Sequence, residues 1–282
     1  MQAAEVLTKS QSSVSYALKT MQEQLPVEVL AIQGRKAVLT EAGEALLRHA
    51  RPLLDQAFSL EKLAANLARG WEPEVRLAVE IIFPPDLLVE ALQTFAPASG
   101  GCRVQVIGSV LSGTHEALLN REVDLAITNR VPVGFLGQPL IPVEFVAVAH
   151  PDHPLHQIGR ELSGDDLRLH RQLAVRDTGL KRKQDAGSLL AEQRWTVSHL
   201  KTSIQLVKGG LGFAWLPREH IRAELKSGEL KPLLMVEGGS RREDLYIVYA
   251  DKDRAGAGTL ALGQALQQSA DHAISRIERR HG

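Results

Sequence analysis

The fold is decided by Ala3-Ala4-Glu5-Val6-Leu7-Thr8-Lys9-Ser10-Gln11-Ser12-Ser13-Val14-Ser15-Tyr16-Ala17-Leu18-Lys19 and, further along, by Leu39-Thr40-Glu41-Ala42-Gly43. The serine cluster in the first stretch is a strong helix start, because a hydroxyl at the N-cap accepts a hydrogen bond from a free backbone N–H. Before it, Ala3–Leu7 is predicted to form a short helix and Thr8-Lys9 a turn. This spacing is typical of a helix-turn-helix.

The helix after the serine cluster is predicted to have one apolar and one polar face. No acid occurs between Lys9 and Gln22, so the polar face is locally basic. Short polar side chains and Gln can contact base edges in the major groove of DNA, while Lys and Ser can bind phosphates. Periodicity alone is equally satisfied by an ordinary surface helix with a solvated polar face. The apolar stripe consists of Val14, Ala17, Leu18, Met21 and Leu25.

The two stretches together resemble the winged helix-turn-helix signature of LysR-type transcriptional regulators. In that family a Ser-Gln-x-x-Val-Ser core is followed by a Leu-Thr-x-Ala-Gly element. Later motifs match the family in order and spacing, so the resemblance covers essentially the whole chain. These motifs are Asp124-Leu125-Ala126-Ile127, His153-Pro154-Leu155, and Val207-x-x-Gly210-Leu211-Gly212 with Leu216-Pro217.

The resemblance implies a winged helix-turn-helix DNA-binding domain at residues 1–40, with Ser10–Glu23 as recognition helix and Leu30–Leu39 as wing. The tip of the wing would lie along the DNA backbone or in the minor groove. The family's domain has a further helix before Ala3, so we expect this chain to be short by about one helix, leaving the apolar stripe partly uncovered. The implied DNA-binding residues are Ser10, Gln11, Ser12, Ser15, Tyr16, Lys19, Arg35 and Lys36.

Residues 41–70 are predicted to form a linker helix that pairs two copies of the chain. Leucines recur every seven residues, and a small residue follows four positions after each of the first three, which makes a heptad seam. The alternative is a single amphipathic helix packed on its own domain. The resemblance favours the dimer, and Pro52 is expected to kink the helix or delay its start. The predicted dimerisation residues are Leu46, Ala50, Leu53, Ala57, Leu60, Ala64 and Leu67.

After the break at Gly70-Trp71-Glu72-Pro73, short β-rich runs alternate with helical stretches. This alternation predicts βαβ units and a parallel sheet. We therefore expect a two-lobed α/β domain at 74–282, resembling type 2 periplasmic binding proteins. Lobe 1 would comprise about 74–150 and 250–282, and lobe 2 about 151–249, with Pro151-Asp152-His153-Pro154 as a crossover between them.

A ligand cleft is expected where strands end and helices begin, because free N–H groups face the crevice there. The resemblance places the effector pocket between the lobes at the same positions. Phe83 with Phe213 would suit a flat or apolar ligand, although both could equally be core residues. Arg130 or His199 could hold an anion, although Arg130 could also be an ordinary surface charge. The candidate effector-binding residues are Phe83, Ser109, Thr128, Asn129, Arg130, Ser198, His199 and Phe213.

Composition limits the remaining classes of function. The chain has 33 basic and 33 acidic residues, and this zero sum does not exclude local basic patches. A single cysteine, Cys102, cannot form an internal disulfide, and no apolar run reaches the roughly 18–20 residues that span a bilayer. We therefore expect a cytoplasmic protein with no membrane partner. His150, His153 and His156 are interrupted by prolines, so no metal site is predicted, and no cofactor is expected.

These observations favour a ligand-responsive, DNA-binding transcriptional regulator. It would bind double-stranded DNA at pseudo-palindromic promoter sites as a homodimer or homotetramer and sense a small molecule between its lobes. RNA polymerase is a further candidate partner. The alternatives are a two-lobed solute-binding protein, which the missing export signal disfavours, and an enzyme on two α/β lobes. Since no catalytic motif is assembled in the sequence, we predict that the chain is not an enzyme.

Overall fold

The computed structural model describes residues 8–33, 36–179 and 191–281. The chain divides into two compact units, Met1–Ala64 and Ala65–Gly282. The short helix expected at Ala3–Leu7 lies outside the described residues, as does Arg35 at the tip of the expected wing. None of the described helices is both long enough and apolar enough to cross a membrane.

The first unit contains a helix, a hairpin and most of a long second helix. Helix α1 (Gln11–Gln24) is followed by strands β1 (Leu30–Gln33) and β2 (Lys36–Leu39), which pair in antiparallel register. Helix α2 (Glu41–Ala68) comes next. These bounds agree within one or two residues with the predicted helices and wing, a difference at which assignments commonly vary. Since α2 is continuous through Pro52, the proline does not delay the start of the helix.

The second unit alternates strands and helices, as its sequence predicts. Its strands are β3 (Glu74–Glu80), β4 (Arg103–Ser109), β5 (Leu125–Thr128), β6 (Gly137–Ala149), β7 (Gln172–Val175), β8 (Arg194–Val197), β9 (Phe213–Pro217), β10 (Lys231–Pro232) and β11 (Ser240–Tyr249). Its α-helices are α3 (Pro85–Phe95), α4 (Ser112–Leu119), α5 (Gly164–Arg168), α6 (Leu200–Lys208), α7 (Arg222–Ser227) and α8 (Ala257–His281). Short 3-10 helices lie at Pro154–Gln157, Arg218–Ile221 and Lys252–Arg254.

These strands form one continuous sheet in the order β4-β3-β5-β11-β6-β9-β7-β8, with β10 paired to β6. Strand β3 is parallel to β4 and β5, and β7 is parallel to β8 and β9. The two central strands, β6 and β11, are antiparallel to all their neighbours. The prediction of a parallel sheet is therefore wrong for the middle of the sheet, which is mixed.

Strands β6 and β11 run through both halves of the sheet and connect the lobes. The first part of β6 pairs with β11, and its last part, Phe145–Ala149, pairs with β9. The end of β11, Tyr246–Tyr249, pairs with β5 in the first lobe. The crossovers therefore lie within these strands and not at Pro151–Pro154. The end of β11 belongs to lobe 1 by its pairing, although the sequence placed it in lobe 2.

Each lobe buries its own apolar core. In lobe 1, α3 and α8 pack together against the sheet, with Leu87 and Leu266 in one cluster. In lobe 2, alternate residues of β6 point to opposite faces, as the two-residue period of a strand requires. Val148 packs into one cluster with α6, while Ala147 packs into another with Phe213. Packing of the two cores holds the ends of the strands in position, and residues at these ends are available to contact a ligand.

Candidate nucleic-acid interface and ligand cavity

The start of α1 is organised by its N-cap serine. Ser10 has extended backbone angles, and its Oγ accepts a hydrogen bond from the N–H of Ser13 at 3.2 Å. The same oxygen lies 2.9 Å from the hydroxyl of Ser12 and 2.8 Å from that of Ser13. This network satisfies one of the free N–H groups of the first turn and holds a cluster of hydroxyls at the helix end.

The polar face of α1 is open to solvent. Gln11, Ser12, Ser15 and Lys19 are exposed, and Tyr16 is 74% exposed. Lys19 forms a 3.8 Å ion pair with Glu23, and because both side chains are exposed this pair contributes little stability. These side chains are therefore free to contact a partner.

The opposite, apolar face of α1 is only partly covered. No residue of the helix is fully buried, and Leu18 and Met21 count among the exposed apolar side chains. Val14 and Leu25 are half-buried. The predicted stripe therefore exists, but its burial is incomplete.

The hairpin is tied to α1 by Gln22. Its amide nitrogen donates to the carbonyl of Val27 at 2.9 Å, and its amide oxygen accepts from the N–H of Val29 at 2.9 Å. These two bonds fix the turn that leads into β1. Lys36 opens β2, while its neighbour Arg35 lies outside the described residues, so the predicted basic tip remains a prediction.

The Leu-Thr-x-Ala-Gly stretch locks the hairpin onto the start of α2. The Thr40 hydroxyl donates to the carbonyl of Glu28 at 2.6 Å and accepts from the N–H of Gly43 at 2.9 Å, which caps the helix. A Cβ at Gly43 would overlap the carbonyl oxygen of Val29, so only glycine fits this close approach. The motif therefore positions the hairpin and α2 relative to each other.

The long helix α2 displays an apolar surface in the single chain. All four leucines of the predicted seam are exposed, with Leu53 and Leu60 about two-thirds accessible to solvent. Ala57 and Ala64 are also exposed, and Ala50 is half-buried. Three further apolar side chains widen this surface, namely Leu47, Leu54 and Phe58.

A cavity of about 290 Å³ lies in the second unit, where strand ends of both lobes meet. This is near the lower end of the range for small-molecule sites, roughly 300–1,000 Å³. We call it the ligand cavity. It is lined by Glu80, Ile81, Ile82, Val110, Leu111, Asn129, Arg130, Phe145, Gln172, Leu173, Ala174, Val175, Leu200, Ser203, Trp215, Leu216, Arg241 and Glu243.

Glu80, the last residue of β3, is a buried acid on the cavity wall. It is 1% exposed, and its Oε2 accepts from the N–H of Leu111 at 3.0 Å and from the hydroxyl of Thr114 at 3.4 Å. Burial raises the pKa of Glu80 to about 8, assisted by the negative charges of Asp177 and Glu243. The carboxyl is therefore mostly neutral at pH 7.

The guanidinium side chain of Arg241 also lines the cavity. The guanidinium carbon of Arg241 stands 4.6 Å from the ring centroid of Phe145, its cross-strand neighbour on β6. Ser203 lies in the first turns of α6. Its buried Oγ has no hydrogen-bond partner among the described residues, and the same holds for the buried Nε of Arg241. Such groups are costly to leave unsatisfied.

The loop after β7 clasps the start of α4 across the two lobes. One oxygen of Asp177 accepts from the N–H of Ser112 at 3.1 Å, and the other accepts from the Ser112 hydroxyl at 2.6 Å. The hydroxyl of Thr178 accepts from the N–H of Val110 at 2.8 Å and donates to its carbonyl at 3.1 Å. We call this contact the clasp. It occupies the anion-binding N-terminus of α4 with a side chain of the protein itself.

Two family models match the chain in sequence order. A bacterial regulatory helix-turn-helix of the lysR family matches residues 1–44, and the LysR substrate binding domain matches residues 68–271. The chain belongs to the LysR family. A two-lobed solute-binding protein would not contain the helix-turn-helix of residues 1–44, so this alternative does not describe the whole chain.

Relatives and solved structures agree with this assignment. The HTH-type transcriptional regulators YeeY and YhaJ of Escherichia coli are each 31% identical, over 81% of this chain and 75% or 78% of their own length. The structure of CrgA, a LysR-type transcriptional regulator from Neisseria meningitidis, has a TM-score of 0.55 at 21% identity, covering 95% of this chain and 92% of its own. The regulatory domain of MetR from N. meningitidis has a TM-score of 0.56 at 22% identity, covering 70% and 93%. At these identities, the two structures show the shared fold.

This LysR-family chain is a ligand-responsive transcriptional regulator with a helix-turn-helix and an effector-binding domain. Members of the family bind DNA, form oligomers and respond to small-molecule effectors. Transcriptional regulators of this kind are not enzymes. No group of three His, Cys, Asp or Glu residues suited to a metal ion occurs in the parts of the chain that the structure describes.

Two of the eight candidate effector residues, Asn129 and Arg130, line the ligand cavity of this regulator. Phe83 and Phe213 are buried in the apolar cores of lobes 1 and 2, and Phe213 packs edge-on against Trp215. The structure therefore places both rings in the apolar cores and outside the lining of the ligand cavity. An apolar side chain at a strand end can point to either face of the sheet, and sequence periodicity does not specify which face it takes.

The remaining candidates lie behind or outside the cavity wall. Ser109 and Thr128 are buried; the Ser109 hydroxyl pairs with Thr114 at 2.7 Å, and the Thr128 hydroxyl donates to the carbonyl of Arg130 at 2.9 Å. They hold the backbone that forms the wall. Ser198 and His199 are exposed and do not line the cavity.

Sequence reasoning missed the charged residues of the cavity wall. Arg241 and Glu243 belong to β11, and Glu80 is the last residue of β3, inside a run that reads as strand as far as Ile82. Glu80 carried a usable signal, because it is the single acid between Leu77 and Ile82 in an otherwise apolar run. A charged residue inside a buried strand is rare unless it has a function or a partner.

Proposed function

We propose that the chain binds pseudo-palindromic promoter DNA as a homodimer or homotetramer, and that an effector in the ligand cavity changes this binding. The observation that carries the DNA half is the open polar face of α1, which follows a serine cap and contains no acid from Gln11 to Gln22. A twofold symmetric pair would present two such helices, which matches two half-sites on one duplex. The corresponding domains are 1–40 for DNA binding, 41–70 for pairing and 74–282 for the effector.

Individual contacts follow from side-chain chemistry. Gln11, Ser12, Ser15 and Tyr16 are assigned to base edges, since amides and hydroxyls both donate and accept hydrogen bonds there. Lys19 and Ser10 are assigned to phosphates, together with Arg35 and Lys36 at the tip of the hairpin. Phosphate contacts give affinity without sequence preference, whereas base contacts give specificity.

Pairing is assigned to the seam of α2. Fully burying one leucine stabilises an interface by about 1.5–3 kcal/mol, and symmetry supplies each leucine twice. The exposed alanines of the seam let two helix backbones approach closely. RNA polymerase is proposed as a further partner at the promoter, and the cytoplasm follows as the place where both partners are found.

Selection of bound duplexes from random-sequence DNA, followed by fluorescence anisotropy at several salt concentrations, tests this function. We expect enrichment of a pseudo-palindrome and an affinity that falls as salt rises. Gln11→Ala should weaken binding to the enriched site by roughly ten-fold or more and leave non-specific DNA little affected, while Lys19→Ala weakens both equally. No enriched sequence and no complex at low salt would contradict the function. Identical profiles for the two variants would contradict only the assignment of roles.

A further inference from the structure

Four ionisable side chains line the ligand cavity, and none of them has a counter-ion among the described residues. Glu80 and Glu243 are acids, and Arg130 and Arg241 are bases. Across the residues that the structure describes, no ion pair or side-chain hydrogen bond between charged groups involves any of the four. Glu80, Arg241 and Glu243 are buried or half-buried, and charges held partly out of water are favourable only when paired. A ligand that supplied both signs would therefore improve their environment.

The acidic part of the wall is formed by Glu80 and Glu243. The groups that act electrostatically on Glu80 are both acids, Asp177 in the clasp and Glu243 on β11. Asp177 already occupies the start of α4, so a ligand anion cannot take that place. A positively charged nitrogen is the complement of this region, because it relieves the repulsion among the three carboxyl groups.

Arg241 and Ser203 line the cavity and carry buried polar atoms without a hydrogen-bond partner among the described residues. The guanidinium is held over the face of Phe145, which fixes its position. Its Nε is a buried donor and the Ser203 hydroxyl a buried donor or acceptor, and neither has a hydrogen-bond partner in the described structure. An anionic oxygen would satisfy both groups with charge-assisted hydrogen bonds.

We propose that the effector is a zwitterion of metabolite size, with its cationic nitrogen against Glu80 and Glu243 and its anionic group against Arg241 and Ser203. This inference rests on the proposed function, in which the ligand cavity receives the effector. Arg130, exposed at the cavity edge, adds positive charge to the entrance.

Much of the rest of the cavity wall is apolar. Ile82, Leu200, Leu216 and the ring of Phe145 lie along the cavity, and Trp215 contributes its ring while its indole N–H donates to the carbonyl of Gly238 at 2.8 Å. With its N–H already satisfied, the Trp215 side chain offers the ligand an apolar surface. A volume of about 290 Å³ admits one small molecule and no more. The ligand therefore carries a hydrocarbon or aromatic side chain beside its two charged groups.

Ligands with one charge fit less well. A simple carboxylate would satisfy Arg241 and leave the acids uncompensated, while a simple amine would leave the buried Nε of Arg241 without an acceptor. Each missing charged hydrogen bond costs about 1.5–3 kcal/mol, or roughly ten- to a hundred-fold in affinity. The cavity therefore discriminates against both by leaving a buried group unsatisfied.

Binding of the cationic nitrogen is linked to ionisation of Glu80. Because the pKa of Glu80 is raised to about 8, the carboxyl must lose its proton before it pairs with a cation. His220, which is hydrogen-bonded to the backbone of Ile81 beside Glu80, has its pKa lowered by burial and stays neutral above pH 7. Asp177 and Glu243 are the other titratable groups facing Glu80. Affinity should therefore rise roughly twenty-fold from pH 6.5 to 8.5 for a ligand whose nitrogen remains protonated.

Calorimetry and thermal unfolding of the full chain without DNA test the proposal. The probes are the standard L-amino acids, the amine that each gives on loss of its carboxyl group, and the acid that each gives on loss of its amino group. Glu80→Gln and Arg241→Gln test the two ends of the cavity. Glu237→Gln and Arg242→Gln are matched controls, since both side chains are exposed and neither lines the cavity.

We expect at least one amino acid to bind, with its matched amine and acid roughly ten- to a hundred-fold weaker. Glu80→Gln should remove the rise of affinity with pH, Arg241→Gln should weaken binding, and the controls should change neither. Binding of the acids as tightly as the amino acids, or a pH dependence that survives Glu80→Gln, would overturn the proposal. Failure of every amino acid to bind would also overturn it. Since no DNA is present, these outcomes are independent of the DNA-binding test.

Discussion

A single carboxyl group, Glu80, shows how one residue serves both the ligand cavity and the stability of its lobe. Its hydrogen bonds to Leu111 and Thr114 tie the end of β3 to the start of α4. Its burial makes the charged form unfavourable, which raises its pKa. The same side chain therefore destabilises the ligand-free fold when it ionises and becomes available to a cation.

Glu80→Gln should make the stability of the ligand-free chain less dependent on pH. The pKa of Glu80 is about 8 in the folded chain and about 4.5 when unfolded, so between these values the folded state binds more protons. Wild-type stability is therefore lost as pH rises from about 4.5 to 8, while glutamine cannot ionise. We expect urea unfolding at pH 5, 6, 7 and 8.5 to show that the free energy of unfolding of Glu80→Gln increases relative to that of the wild type as pH increases. The free energy of unfolding of Glu237→Gln should follow the wild type. A constant difference between Glu80→Gln and the wild type would contradict the raised pKa.

Residue-level roles were predictable where local chemistry decides them. The serine cap of α1 follows directly from its sequence, since its contact is made within one helical turn. The positions of Phe83 and Phe213 were not predictable, because either side of the sheet accepts a phenyl ring and long-range packing chooses between them. The position of Arg241 on the cavity wall depends on the pairing of β11 with β6, which joins residues far apart in sequence.

At the scale of elements, α2 stands out because its leucine seam is apolar and yet solvent-exposed in the single chain. Leu60→Glu should weaken dimerisation by at least a hundred-fold, since about 1.5–3 kcal/mol is lost in each of two copies and two charges are brought together. Sedimentation velocity over a range of concentrations would measure the shift. Lys62→Glu, two residues away and off the seam, is the control and should leave the association intact. An unchanged dimer in Leu60→Glu would place the interface elsewhere.

The clasp is an element-level contact between the lobes. Asp177→Asn should destabilise the second unit by about 1–3 kcal/mol, because the start of α4 loses a charged acceptor for the N–H and hydroxyl of Ser112. Urea unfolding measures the loss, and amide exchange at Ser112 should accelerate. Asp165→Asn is the control, since that exposed acid makes only a 3.8 Å contact with Arg168 and should cost under about 0.5 kcal/mol. Equal effects of the two variants would mean that the clasp does not stabilise the lobes.

Element positions were largely predictable from the sequence, whereas their connection was not. Strands β5 and β7 are recognisable in the sequence, because a short apolar run between turn residues is a local signal. The length of β6 and its antiparallel pairing with β11 and β9 depend on partners distant in sequence. These two strands make the sheet mixed and join the lobes, so the lobe boundary could not be derived from alternation alone.

At the scale of the whole molecule, a regulator requires that the ligand cavity and the DNA-binding unit influence each other. If the effector changes the affinity for DNA by some factor, DNA must change the affinity for the effector by the same factor, typically 5- to 150-fold. This reciprocity is a property of equilibrium binding and does not depend on the path between the sites. It distinguishes an effector of the regulator from a small molecule that merely occupies the cavity.

The two affinities can be measured on one protein preparation with the selected duplex and the amino acid that binds best. Anisotropy gives the DNA affinity with and without saturating amino acid, and calorimetry gives the amino-acid affinity with and without saturating duplex. We expect the factor by which the amino acid changes the DNA affinity to equal the factor by which the duplex changes the amino-acid affinity. Arg241→Gln should keep the DNA affinity of the ligand-free protein, but roughly ten- to a hundred-fold more amino acid should be needed to change that affinity. Arg242→Gln, whose side chain bonds to Asp244 on the exposed face of the same strand, should respond as the wild type does. A change in DNA affinity without the reciprocal change would show that the amino acid acts outside the ligand cavity, because two sites coupled in one protein cannot differ in this factor.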